Sequence, residues 1–271
     1  MASSLMSNFL QHRLAAPLSI WGKLPSHGDF LRHGVTPAQA QDWQAWVARV
    51  WHFRHHTDSS QHARALRKPK VGWLQLEAQT RGSVDLGAVP VAFVMLPGAL
   101  PFAPRHYLQG VILDSEDSVG RACPIVIYQQ VARGWMERLL TEQLASPEKN
   151  LLYWLSRVAA RTHAAQADWT DLTRAVDELW QLHCPGWQQW LSLAPPRANL
   201  HACAQVLQRY CPSDSMDAAM GLSGVRSLPW RNWPERVLRP QRPVSAYWQQ
   251  DIAGGYVNAS ESLLTLWKGL P

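Results

Sequence analysis

Residues 91–96, 107–113 and 125–128 are short apolar runs, and their length decides the class of fold. Each has the length of a buried strand. The first is stopped by Pro97-Gly98. Residues 18–24 read as an earlier strand stopped by Pro25, and 245–249 as a late one. Elsewhere the apolar spacing turns helical. Thr36 and Pro37 open a helix, with Thr36 as N-cap and Pro37 at the first helical position, where its missing N–H costs nothing. Trp43, Trp46, Val47, Val50 and Trp51 then line one face. Leu151, Leu152, Trp154, Leu155, Val158 and Ala159 mark a second helix, and Leu172, Val176, Leu179 and Trp180 a third. Residues 199–210 and 261–267 read as two more, with Pro185, Pro195 and Pro196 as punctuation. Strands separated by helices predict an α/β sandwich with a helix-rich C-terminal half.

A chain of 271 residues buries roughly three quarters of its unfolded surface, so a core needs no covalent staples. Most of the 15 tryptophans are expected to serve that core. Cys123, Cys184, Cys203 and Cys211 include no CxxC pair, which argues against a zinc site or a disulfide framework. The formal charge of +6 favours anionic partners without naming one. The start of the chain lacks a basic n-region and a continuous apolar h-region, so 1–16 reads as a flexible lead-in. The most apolar run, 89–96, is short and interrupted by Pro90, too short to span a bilayer. A cytoplasmic protein without membrane insertion is expected.

The stretch "WGKLPSHGDF" (21–30) is the densest in chemically active residues. It is not a phosphate loop of the GxxxxGK(S/T) type, because Lys23 follows the first glycine and Pro25 removes a backbone donor. Nor does Ser26 sit in GxSxG, and Ser26, His27 and Asp29 are too close in sequence to make an ordinary triad. A stiff, polar-tipped loop accounts for more of its residues. In that reading Pro25 fixes φ, Gly28 supplies a positive φ, Asp29 closes an Asx turn, and Phe30 and Leu31 return to the core.

His52, His55, His56 and His62 cluster without HExxH and read as a solvated helix end. The acidic loop Asp114, Glu116, Asp117 lacks the EF-hand pattern; Gly120 allows a tight turn and Arg121 is placed to pair with one of the acids. Two basic groups remain: Arg64, Arg67, Lys68 and Lys70, and Arg226, Arg231, Arg236, Arg239 and Arg242 interleaved with Trp230 and Trp233. No nucleic-acid-binding signature accompanies them, and arginine stems packed on tryptophan rings are the plainer reading. No nucleic-acid partner, metal or cofactor is expected.

"WGKLPSHGDFLRHG" (21–34), followed by "WQAWV" (43–47), resembles the N-terminal signature of the TagF/ImpM family of type VI secretion system-associated proteins. "VMLPG" (94–98) and "GVILDSEDSVGRACPI" (110–125) resemble its second block. There Asp117, Gly120, Arg121 and Pro124 fall on family positions, while Asp114 replaces a common proline and Ile125 a leucine. "YW" (247–248) and "GLP" (269–271) are also similar. The resemblance covers about 20–130 and implies one domain over 17–271, with a helical part from about 147.

It also implies a three-layer α/β/α fold without known catalysis. It further implies post-translational repression of type VI secretion by binding a cytoplasmic forkhead-associated-domain scaffold. Any phosphatase involved would act in trans. The candidate partner-binding residues are Lys23, Ser26, His27, Asp29, Asp117 and Arg121, on a rim formed if loops 22–30 and 114–121 meet at the ends of parallel strands. Internal salt bridges from Lys23 or Arg121 to Asp29 or Asp117 are the structural alternative. The functional alternative is a metal-assisted hydrolase built on the acidic loop 114–121.

Overall fold

The computed structural model describes residues 14–56, 90–145, 150–164, 166–185, 200–210, 237–238, 241–250 and 256–268. Strands β1 (Ser19–Gly22), β2 (Leu31–His33), β3 (Val91–Met95), β4 (Tyr107–Leu113), β5 (Ile125–Val131), β6 (Ala246–Gln250) and β7 (Tyr256–Ser260) form one sheet. Its seven strands lie in the order β2-β1-β5-β4-β3-β6-β7. The helices are α1 (Pro37–His56), α2 (Arg133–Ala145), α3 (Leu151–Ala164), α4 (Trp169–His183), α5 (Leu200–Tyr210) and α6 (Leu263–Lys268). The fold is mixed α/β.

Every neighbouring pair of strands is antiparallel. The expected parallel strands are therefore corrected, and the connections give the reason. β4 and β5 are joined by loop 114–124, and β1 and β2 by loop 23–30, neither containing a helix. Parallel neighbours need a long crossover, usually helical, whereas hairpin-like loops impose antiparallel pairing. The stretch 25–34, read as loop throughout, also contains β2.

The strand residues alternate between two clusters. Ile20, Ala92, Val94, Val111, Leu113, Ile125 and Ile127 cluster with Trp135 and Met136 of α2, Tyr153 and Trp154 of α3, Leu172 and Val176 of α4 and Leu207 of α5. Trp21, Phe93, Met95, Ile112, Val126 and Tyr128 cluster with Trp43, Trp46 and Val47 of α1 and Leu263 and Leu266 of α6. The central strands β3 and β4 are buried at every residue, which is why their sequences read as continuous apolar runs. Residues 14–16 also join the sheet region: Ala15 bridges Val131, and Ala16 N donates to the Gln130 carbonyl at 2.8 Å.

The predicted start of α1 is borne out. Gln39 N donates to Thr36 Oγ1 at 3.3 Å, and Thr36 N to Gln39 Oε1 at 2.9 Å, a reciprocal cap. Among the described residues no helix is long and apolar enough to cross a membrane. His62, Arg64, Arg67, Lys68 and Lys70, and Arg226, Trp230, Arg231, Trp233, Arg236 and Arg239, lie outside the described residues.

Gly110, in the middle of β4, has a steric reason to be glycine. A Cβ there would lie 2.1 Å from the Ile127 carbonyl oxygen and 2.8 Å from Phe93 Cζ. Both neighbours belong to packed strands with little room to give. Gly110→Ala is expected to destabilise the protein by roughly 1–3 kcal/mol, read as a lower urea midpoint with an unchanged slope.

Candidate functional site

The first signature block leaves β1 through a glycine that the packing demands. Gly22 has φ 137°, and a Cβ on it would sit 2.2 Å from the Pro124 carbonyl oxygen. That close approach lays the start of loop 23–30 against the end of loop 114–124. Lys23 follows, buried, with Nζ 2.7 Å from Asp117 Oδ2. The loop then turns at Pro25 and Ser26, closed by His27 N donating to the Leu24 carbonyl at 3.0 Å.

The second block wraps around Asp117. Its backbone N–H donates to the Arg121 carbonyl at 3.2 Å, and its carbonyl accepts from Gly120 N at 2.9 Å. Gly120 takes φ 81°, a conformation open to glycine at no steric penalty. Asp117 Oδ1 accepts from Val119 N at 3.1 Å and Arg121 N at 2.8 Å. Oδ2 accepts from Lys23 Nζ and Arg121 Nε, each at 2.7 Å. Burial pushes this carboxyl up, but the bonds from Lys23, the Arg121 amide and guanidinium and the Val119 amide outweigh it and hold it well below the usual carboxylate range.

Two further bonds stitch the loops together. Arg121 Nη2 donates to the Gly28 carbonyl at 2.5 Å, and Ser118 N to the His27 carbonyl at 3.0 Å. Asp117 is thus the hub of a clamp that fixes the two sequence-predicted segments on each other. Of the two readings of the charges, internal pairing is what the geometry contains, with Asp117 as the shared acid.

Asp29 is exposed and makes no side-chain bond among the described residues, so the expected Asx turn at Asp29 is corrected: Asp117 makes it. Gly28 is not among the glycines with positive φ, which are Gly22, Gly34, Gly98 and Gly120. Phe30 does not return to the core. It is 42% exposed, with its ring 5.5 Å from that of Trp21 and the Lys23 ammonium 4.9 Å from its centroid.

Ser26 and His27 meet a part of the molecule that the sequence did not connect to them, the turn before α4. Ser26 Oγ donates to the Ala167 carbonyl at 2.9 Å and lies 2.9 Å from His27 Nδ1. His27 Nε2 lies 3.6 Å from Asp168 Oδ1, and Asp168 also caps α4 by accepting from Thr170 N at 3.1 Å. His33 of β2 reaches Asp177 of α4 at 2.9 Å. Ser26, His27 and Asp168 therefore form a string, but the serine proton is directed to a backbone carbonyl. A hydroxyl held that way is not activated by its neighbouring imidazole, and the string ties the first loop to α4.

The acidic loop does not assemble a metal centre. Both Asp117 oxygens are engaged, and among the described residues no three His, Cys, Asp or Glu side chains come together as a ligand set. Cys123, near Lys23, is buried, and burial pushes its thiol up to about 11, which makes it a poor nucleophile.

The chain matches no protein-family model and no curated protein. Its fold is similar to the crystal structure of PA0076 from Pseudomonas aeruginosa PAO1, with a TM-score of 0.47 and 17% sequence identity over 85% of this chain and 81% of that one.

Lys23, Asp117 and Arg121 are brought into direct contact; Ser26 and His27 belong to the same loop but face α4; Asp29 stands apart. The sequence reading missed Gly22, Phe30, Val119 and Asp168. Only Asp168 carried a local signal, an acid immediately before an amphipathic helix.

Proposed function

We propose that this chain is a non-enzymatic, cytoplasmic regulator of a bacterial type VI secretion system. It acts as a post-translational repressor by binding a forkhead-associated-domain scaffold component through the clamped loops. The three-layer α/β/α arrangement of the TagF/ImpM family belongs to the same proposal. The observation that carries the reading is the clamp itself. Residues that the two signature blocks share with that family lock into a rigid surface feature, with Asp117 engaged on every side. A rigid loop presents a surface to a partner without an ordering penalty on binding.

The test uses the intact protein and the purified scaffold of the same secretion system. Capture of the scaffold at micromolar concentration is expected, together with reduced type VI secretion when the protein is overproduced. Absence of capture together with unchanged secretion would overturn the proposal.

A further inference from the structure

Among the described residues, the large apolar side chains that face solvent are Phe30, 42% exposed, and Val119, 69% exposed. They sit on the two clamped loops, one on each. Ser118 N donates to the His27 carbonyl and Arg121 Nη2 to the Gly28 carbonyl, and a Cβ on Gly28 would lie 3.4 Å from Ser118 Oγ, so the two segments run side by side. Phe30 is braced by the Trp21 ring and the Lys23 ammonium, which hold it at the surface.

The charges around these side chains are mostly acidic. The loops carry Lys23 and Arg121 against Asp29, Asp114, Glu116 and Asp117. Arg32 of β2 adds one base and Asp168, beside His27, one acid, which leaves the balance negative. Both bases of the loops are engaged: Lys23 is buried on Asp117, and Arg121 holds the same carboxylate through Nε. The acids are not all answered. Asp117 is buried in the clamp and Asp114 is half-buried, but Asp29 and Glu116 are exposed and make no side-chain bond or ion pair among the described residues. Asp29 directly precedes Phe30, and Glu116 lies shortly before Val119. The chain as a whole carries +6, so the rim is negative against the sign of the molecule.

We propose that the rim of Phe30, Val119, Asp29 and Glu116 docks a segment of a protein partner that carries a Lys or Arg flanked by apolar side chains. The apolar neighbours cover Phe30 and Val119, and the cation lies in the field of the two exposed carboxylates. The exposed aromatic ring adds to that preference, because its face attracts cations. The inference rests on the reading of the clamped loops as a docking surface, and it adds the chemistry of what docks.

The test titrates the isotope-labelled full chain with three capped tripeptides, Leu-Lys-Leu, Leu-Gln-Leu and Leu-Glu-Leu, followed by backbone amide NMR. The lysine peptide is expected to shift the amides of residues 28–30 and 116–121. At low ionic strength it is expected to bind about threefold more tightly than the glutamine peptide, with the glutamate peptide weakest. Sodium chloride at about 0.5 M is expected to remove the difference. The double variant Asp29→Asn, Glu116→Gln, which touches no bond of the clamp, is expected to abolish the preference for lysine with no change in melting temperature. Val119→Ser is expected to weaken the lysine peptide, again with no change in melting temperature.

Equal binding of the lysine and glutamine peptides, preference for glutamate, shifts confined to other residues, or no shifts at all would each overturn the proposal. So would a preference for lysine that persists in the double variant. Capture of the forkhead-associated scaffold that survives both the double variant and Val119→Ser would overturn it while leaving the repressor reading intact. Lysine-selective shifts at these loops without scaffold capture would do the reverse.

Discussion

Trp43→Ala is expected to lower the free energy of unfolding by roughly 3–5 kcal/mol. Trp43 is fully buried on α1, and its indole is the meeting point of one side of the sheet. Its ring centroid lies 5.0 Å from that of Tyr128 and 5.6 Å from that of Trp46, both edge-on, and 6.1 Å from that of Phe93. The methyl group of alanine touches none of these rings, and their strand and helix backbones prevent them from closing the gap. Since a domain of this kind is stable by only about 5–15 kcal/mol, the loss is a large share of the total. The melting temperature should fall by on the order of 10 °C. Trp43→Phe, which keeps an aromatic edge, should fall by clearly less. Circular dichroism melts of the three proteins are the measurement, and a Trp43→Ala protein as stable as the parent would show that α1 does not anchor this side of the sheet.

The central strands and this helix were legible because one physical signal specified each. Residues 107–113 are apolar except for Gln109, and β4 is buried at every one of them. Thr36 and Pro37 carry a local start signal for α1, and the structure adds Gln39 as the reciprocal partner of Thr36 in the cap. The elements that escaped lacked such a signal. β2 is three residues long, carries Arg32 and His33, and pairs with β1 alone among the strands, so no apolar run marks it. Strand direction was also illegible, since periodicity is identical in parallel and antiparallel strands and only the connections decide.

At the site, residue types were easier to read than partners. Lys23, Asp117 and Arg121 stand out as charges in otherwise turn-forming segments. Which aspartate would collect the cations depends on contacts across the chain, and Asp29 and Asp117 are equally plausible by local rules. The glycines show the same limit. A positive φ at Gly22 rather than Gly28 follows from the approach of Pro124, a contact no local sequence encodes. The link from Ser26 and His27 to Ala167 and Asp168 is likewise a product of how the helical half packs on the first loop.

Asp117→Asn is expected both to destabilise the protein and to abolish docking, and the two effects can be separated. The amide keeps the shape of the side chain but leaves Lys23 buried without an anion, the costly half of breaking a buried ion pair. A fall in melting temperature of about 5–10 °C follows. The acid limb of the stability profile gives a sharper signature. The folded carboxyl is held below its unfolded range of about 3.9, so its contribution is fully present above that pH and is lost as pH falls from about 4 toward the folded value. The difference between parent and Asp117→Asn should be flat from pH 7 to about 5 and shrink below about 4. A difference that grows on acidification would mean that Asp117 is not held as a carboxylate. The double variant Lys23→Met, Asp117→Leu replaces the buried pair by apolar groups and should recover much of the lost stability, because removing both charges avoids the stranded one. Arg121 would then lose the anchor of its Nε, and Val119 and Arg121 the acceptor of their amides. If the clamp serves docking rather than folding alone, that restored protein should still fail to capture the scaffold.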